Sequence, residues 1–267
     1  MSAVAAEAVG RPPTTVHRIP LSRLVQVELR KMFDTRSGFW LIASIVITAV
    51  LATAGAILFA PDDAIVYSTF VGAISFPMQV ILPVIAILAV TGEWTQRSGL
   101  TTFTLVPHRS RVIAAKALSS MVVGVVAVLV AFAIGALGNV LGAQVNSAAL
   151  TWDVSFAESL QFLFGSVLSL MVGFMLGVLV RASAGAIAAY FVYAFLLPTI
   201  FGLLATFVAW FKDVQPWVDA QFAQSPLFSF LGPLTGEQWA NIGVTGLIWL
   251  VLPLAVGLRF VTRVEVK

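Results

Sequence analysis

Six stretches of the chain stay mostly apolar for about 20 residues, long enough at about 1.5 Å per residue to cross a hydrocarbon core about 30 Å thick. They run from about Phe39 to Ala60, Thr69 to Val90, Val112 to Leu137, Leu160 to Val180, Ala184 to Phe207 and Ile242 to Phe260. Pro77 and Pro83 lie in the second, Pro198 in the fifth and Pro253 in the sixth. Such prolines are tolerated where neighbouring helices or a local distortion re-satisfy the freed carbonyls. Ahead of the first stretch, Leu21, Leu24, Val25, Leu29, Met32 and Phe33 share one helical face, and Arg23, Gln26, Arg30, Lys31 and Asp34 the other. A helix of this kind lies in the membrane interface, its apolar face in lipid and its cations toward headgroups. Glu28 falls inside the apolar stripe. A buried contact to a cytoplasmic loop and a snorkelling side chain at the stripe's edge fit it equally. Between the fifth and sixth stretches, residues 208–240 are apolar and aromatic but are broken by Lys212, Asp213, Pro216, Asp219, Pro226 and Pro233. Short re-entrant or interfacial helices on the outer face are expected there, with Trp210, Trp217 and Trp239 at headgroup level. A longer, bent fifth helix with an ordered loop is the alternative.

The pattern therefore predicts an all-α integral membrane protein with six transmembrane helices. Residues 1–17 read as a disordered cytoplasmic tail with no secretory signal, 18–37 as the interfacial helix, 38–261 as the transmembrane domain and 262–267 as a cytoplasmic C-terminal tail. Composition agrees. Only 10% of residues are charged and the mean hydropathy is +1.00, against about 25% charged residues in a soluble domain, so lipid must cover much of the outside. Charge placement sets the orientation. Fourteen of the 15 Lys and Arg residues fall on one side of the six spans and only Lys212 on the other. The opposite loops hold Asp62, Asp63, Asp153, Glu158, Asp213, Asp219 and Glu237. Basic loops stay inside, so both termini are expected in the cytoplasm of a plasma-membrane protein. The net charge of +3 is then a property of those loops and no sign of nucleic-acid binding.

The chemistry carried by the chain is sparse. Cysteine is absent, the only histidines are His17 and His108, and there is neither an HExxH nor a GxxxxGK[ST] motif. Thiol, zinc-protease and embedded Ser-His chemistry, and a phosphate-binding loop, are excluded on these grounds. The middles of the spans lack Asp, Glu, Lys and Arg, which disfavours a proton-coupled carrier. The informative stretch is 91–111, between the second and third spans, about twenty residues where a simple connection needs about four. Its apolar Trp94, Leu100, Phe103 and Leu105 among polar neighbours suit a short interfacial helix that docks to a soluble protein; a passive ordered loop is the alternative.

Glu93, Gly99-Leu100-Thr101, Pro107-His108-Arg109-Ser110-Arg111 and Lys116 occur in that order. In this order, and in the interfacial helix, the six spans and the broken segment before the sixth, the chain resembles the permease subunits of the type-2 family of ATP-binding-cassette exporters. It departs from the family at Leu100, where Thr often follows the glycine. The resemblance implies two permease subunits, identical or homologous, above two cytosolic ATPase subunits that carry ATP and Mg. This chain would be no enzyme and would hold no cofactor or metal. Segment 91–111 would be the coupling helix, with Glu93, Trp94, Arg97, Gly99, Thr101, Pro107, Arg109 and Arg111 in ATPase coupling. Glu28 and Arg30 would serve contacts of the interfacial helix, with Arg109 or Arg111 pairing either Glu28 or headgroup phosphates. Lys116 is expected to snorkel, and His108 to be a solvated loop residue. Gln79, Ser166, Ser169, Tyr190, Tyr193 and Thr206 are candidates for a polar pathway. The substrate implied is an amphipathic drug, antibiotic or lipid-like molecule. A secondary transporter or channel without an ATPase, or a non-transporting scaffold, are the other readings.

Overall fold

A computed structural model of the chain describes residues 19–34, 36–95 and 109–263. Among these the fold is all helical, and six helices are long and apolar enough to cross a membrane. The chain is accordingly a multi-pass membrane protein by architecture. Helix α1 is Leu21–Asp34, α2 Arg36–Phe59, α3 Tyr67–Thr95, α4 Arg109–Val145 and α5 Phe156–Val180. Helix α6 is Ser183–Phe207, α7 Ala209–Val218, α8 Ala220–Gln224 and α9 Gly236–Phe260.

Burial divides the spans into two groups. The most apolar windows of α3 and α5 are 50% and 56% buried, those of α2, α6 and α9 only 17%, 11% and 22%. Helices α3 and α5 therefore form the central pair, and the peripheral spans offer their apolar sides to lipid. The central seam is close because Gly173 and Gly177 face α3. A Cβ at Gly173 would lie 2.6 Å from Pro83 Cα, and one at Gly177 would lie 3.3 Å from Ile87 Cα. The second pair of spaced glycines also packs within the chain. A Cβ at Gly138 would lie 2.9 Å from Phe70 Cδ1, and one at Gly142 would lie 2.8 Å from Phe70 Cζ.

Several element bounds differ from the sequence expectation, each for a local reason. Helix α4 does not stop near Leu137; its 37 residues reach about 55 Å at about 1.5 Å per residue, because its glycines serve close packing rather than termination. Helix α9 starts at Gly236, well before Ile242, because Thr235 and Gln238 form a capping box. Both peripheral prolines follow a π-helical turn, Val192–Leu196 before Pro198 and Leu247–Val251 before Pro253. The wider turn relieves the clash of the proline ring with the preceding turn and absorbs the missing N–H. Segment 208–240 is neither a bent extension of α6 nor a plain loop. Helix α7 has 10 residues, about 15 Å, too short to span. A 3₁₀ turn, Ser225–Phe228, then folds back on α5, with the Phe228 and Phe230 rings 5.4 and 5.8 Å from Phe162.

Candidate functional site

The sequence points to the junction of α1, the end of α3 and the start of α4. Helix α1 follows Pro20, whose carbonyl accepts from Arg23 N at 3.1 Å and Leu24 N at 3.3 Å. Its stripe is divided between packing against the protein and an exposed margin. Leu29 and Met32 pack on the hydrophobic core and Glu28 is buried, whereas Leu21, Val27 and Phe33 stay exposed. The protein-facing part of the stripe surrounds Glu28, whose buried carboxylate needs a partner.

That partner is Lys116. Its Nζ donates to Glu28 Oε2 at 2.6 Å and to Ala89 O of α3 at 3.1 Å. Lys31 Nζ donates to the other oxygen, Oε1, at 2.7 Å. The side chains of Lys116 and Glu28 are 6% and 9% exposed, that of Lys31 46%. Burial alone would raise the Glu28 pKa, but the Lys116 and Lys31 ammonium groups outweigh it and hold the carboxyl below its ordinary range. One buried ammonium thus joins α1, α3 and α4. Beside it, Ser119 Oγ donates to Ala115 O at 2.8 Å and lies 3.2 Å from Val25 O of α1.

One expectation is overturned here. Lys116 does not snorkel. Of the alternatives open to Arg111, the Glu28 pair does not form. Arg111 Nη2 donates instead to Ile19 O at 2.6 Å, holding the chain as it enters α1. Sequence reasoning missed Lys116 although a signal was present. Lys116 and Glu28 are opposite charges, each misplaced in an apolar run of a chain poor in charge. Arg30 is exposed on the far side of α1. At the other foot of the connection, Thr91 Oγ1 donates to Ile87 O at 2.9 Å and lies 2.7 Å from Ser183 Oγ of α6. Both feet of segment 96–108 are therefore tied to other elements. Glu93 and Trp94 fall on the last turn of α3 and Arg109 opens α4. Their side chains, and Arg97, Gly99, Thr101 and Pro107 entirely, lie outside the described residues, as do the tail 1–17 and residues 264–267.

All but one of the suggested pathway residues are packed within the chain. Tyr190 OH donates to Gln79 O, and Ser169 Oγ lies 3.4 Å from the same hydroxyl. Gln79 Nε2 donates to Ser75 Oγ at 3.1 Å. The Tyr193 ring lies 6.3 Å from Tyr190 and 5.8 Å from Trp249, and Ser166 is buried. Thr206 stands apart, exposed, its Oγ1 donating to Gly202 O at 2.9 Å. No group of His, Asp and Glu able to hold a metal ion occurs among the described residues. Comparison with known proteins finds no matching family model and no matching curated protein.

Proposed function

We propose that the chain is the permease subunit of an ATP-driven exporter, forming the membrane pathway with a second permease subunit and coupled to two cytosolic ATPase subunits. The observation that carries the reading is the buried Glu28–Lys116–Ala89 node, with Arg111 and Thr91 beside it. A connection that only joined α3 to α4 would need no such anchoring of both feet. One that receives force from a soluble partner does, because the displacement must reach α1, α3, α4 and α6 together. In this reading segment 91–111 is the coupling element and both termini lie in the cytoplasm. Helix α1 lies at the inner interface of the plasma membrane, and α7 and α8 lie at the outer one as re-entrant or interfacial helices. ATP and Mg belong to the partner, in keeping with the missing phosphate-binding loop. The cargo is an amphipathic drug, antibiotic or lipid-like molecule, suited to spans whose middles carry no charge. Gentle solubilisation of the native complex followed by mass spectrometry tests the proposal. A stoichiometric ATPase carrying GxxxxGK[ST] is expected, and a chain that purifies as a stable oligomer of itself alone would overturn the reading.

A further inference from the structure

An open groove of about 960 Å³ lies between α6 and the short helices α7 and α8, at the upper end of the range for small-molecule sites, about 300–1,000 Å³. One wall is a small-residue face of α6 that includes Pro198, Gly202 and Thr206, and the Phe222 side chain of α8 adds an exposed ring. The opposite lining holds Lys212, Gln215 and Asp219. Asp219 is only 2% exposed. Its Oδ1 accepts from Gln221 N and Phe222 N, both at 3.1 Å, and its Oδ2 from Gln215 Nε2 at 3.1 Å. All three donors are neutral, and no ion pair to Asp219 forms among the described residues. Lys212 is exposed.

Capping α8 does not explain the charge, since Ser or Asn caps a helix about as well as Asp. A carboxylate held in a poorly solvated place by dipoles alone keeps a negative potential around it, and a cation that reaches it is bound more strongly than in water. The α6 wall offers contact area to an apolar chain and carries no charge. We infer that this groove binds an amphiphile bearing a protonated or quaternary amine, with the ammonium at Asp219 and the apolar body along the small-residue face of α6. The ammonium has two possible sources, a free cationic amphiphile or the headgroup of an ethanolamine lipid. Binding needs only the folded chain, so the inference stands whether or not an ATPase drives transport.

The test uses the full chain in phosphatidylglycerol nanodiscs with 12-bromododecyltrimethylammonium, whose bromine quenches nearby tryptophan. Trp210 and Trp217 on α7 are the nearest reporters in sequence. Saturable quenching is expected for this probe and only linear, partition-driven quenching for neutral 12-bromododecanol. Asp219→Asn keeps the side-chain shape and should weaken the cationic probe at least about tenfold, in line with the loss of a desolvated charge pair. Gly202→Phe gives an independent arm, because Gly202 lines the groove and a Cβ there meets nothing within 4 Å. It too should weaken binding of the cationic probe. Phosphatidylethanolamine that competes with the probe identifies the lipid headgroup as the source, and failure to compete identifies the free amphiphile. Equal behaviour of cationic and neutral probes would overturn the inference. So would unchanged affinity in Asp219→Asn, or weakened binding there while Gly202→Phe leaves the affinity unchanged.

Discussion

Replacing Glu28 with Leu, Lys116 with Met, or both, probes the node that docks α1, and the structure predicts unequal costs. Glu28→Leu takes the carboxylate at 2.6 Å away from a buried ammonium that also donates to Ala89 O at 3.1 Å. Breaking a buried pair from one side costs about 3–5 kcal/mol. Lys116→Met is milder, because Lys31 still donates to the Glu28 carboxylate at 2.7 Å. Its cost should be nearer the about 1.5–3 kcal/mol of a hydrogen bond to a charged group. The double variant removes both charges and restores apolar packing, so it should lie within about 1 kcal/mol of the parent. Hydrogen exchange of the α1 amides reads local detachment directly. The Glu28→Leu cost corresponds to roughly two to four orders of magnitude in protection, since about 1.4 kcal/mol is tenfold. Protection in wild type should also be flat from neutral pH down to the ordinary carboxyl value of 4.5. The Glu28 pKa is lower when α1 is docked than when it is free, so the pair contributes fully above that value. The contribution drains away as pH falls through the lowered one. Additive single variants, or a loss of protection near neutral pH, would refute the reasoning.

Two further outcomes follow from packing. Gly173→Ala should destabilise the α3–α5 seam by about 1–3 kcal/mol, because the new methyl meets Pro83 Cα at 2.6 Å and Cβ at 2.7 Å. Gly243→Ala, with nothing within 4 Å, should be neutral or stabilising in the same thermal melt; equal melting temperatures would show that the seam is looser than described. Glu158→Ala should cost about 1–2 kcal/mol, because it removes the acceptor for Ser155 N at 2.8 Å and for Gly232 N at 2.9 Å. Faster exchange at Gly232 and at the start of α5 is its signature, and unchanged exchange at Gly232 would mean that the 74-residue link does no holding.

The spans were legible because a membrane imposes length and apolarity together. The expected stretch from Ala184 to Phe207 meets a helix at Ser183–Phe207, and that from Phe39 to Ala60 meets one at Gly38–Phe59. The errors occurred where a residue type has two uses. Past Leu137 the apolar run is interrupted by Gly138, Asn139 and Gly142, yet these residues stay in α4, where both glycines lie against Phe70. Glu237, Gln238 and Asn241 look like loop residues but belong to the first turns of α9. At the docking node, Glu28 was singled out correctly as needing a partner, yet the cation was sought in the polar loop. It came instead from Lys116 inside α4. Pairing across 88 residues depends on how α1 crosses α4, which no local pattern encodes.

A single rule connects the buried charges. Among the described residues, three carboxylates are buried, Glu28, Glu158 and Asp219, and one ammonium, Lys116. Only Glu28 is neutralised by cations. Glu158 is held by Ser155 and Gly232 N, Asp219 by Gln215 and two backbone N–H groups, and exposed Asp153 accepts from Ser68 N at 2.8 Å at the start of α3. Glu158, Asp219 and Asp153 thus sit at helix N-termini, where unsatisfied N–H groups and the helix dipole favour negative charge. Glu237, in the first turn of α9, fits the same pattern. The charge asymmetry of the sequence explains why. With 14 of the 15 basic residues assigned to the other side, these carboxylates have almost no cations to pair with and must be satisfied by backbone. Glu28 lies on the basic side and takes a lysine. The distribution of basic residues along the chain therefore also governs how each buried carboxylate is stabilised, and Asp219, satisfied by dipoles alone, is the one that borders an open groove.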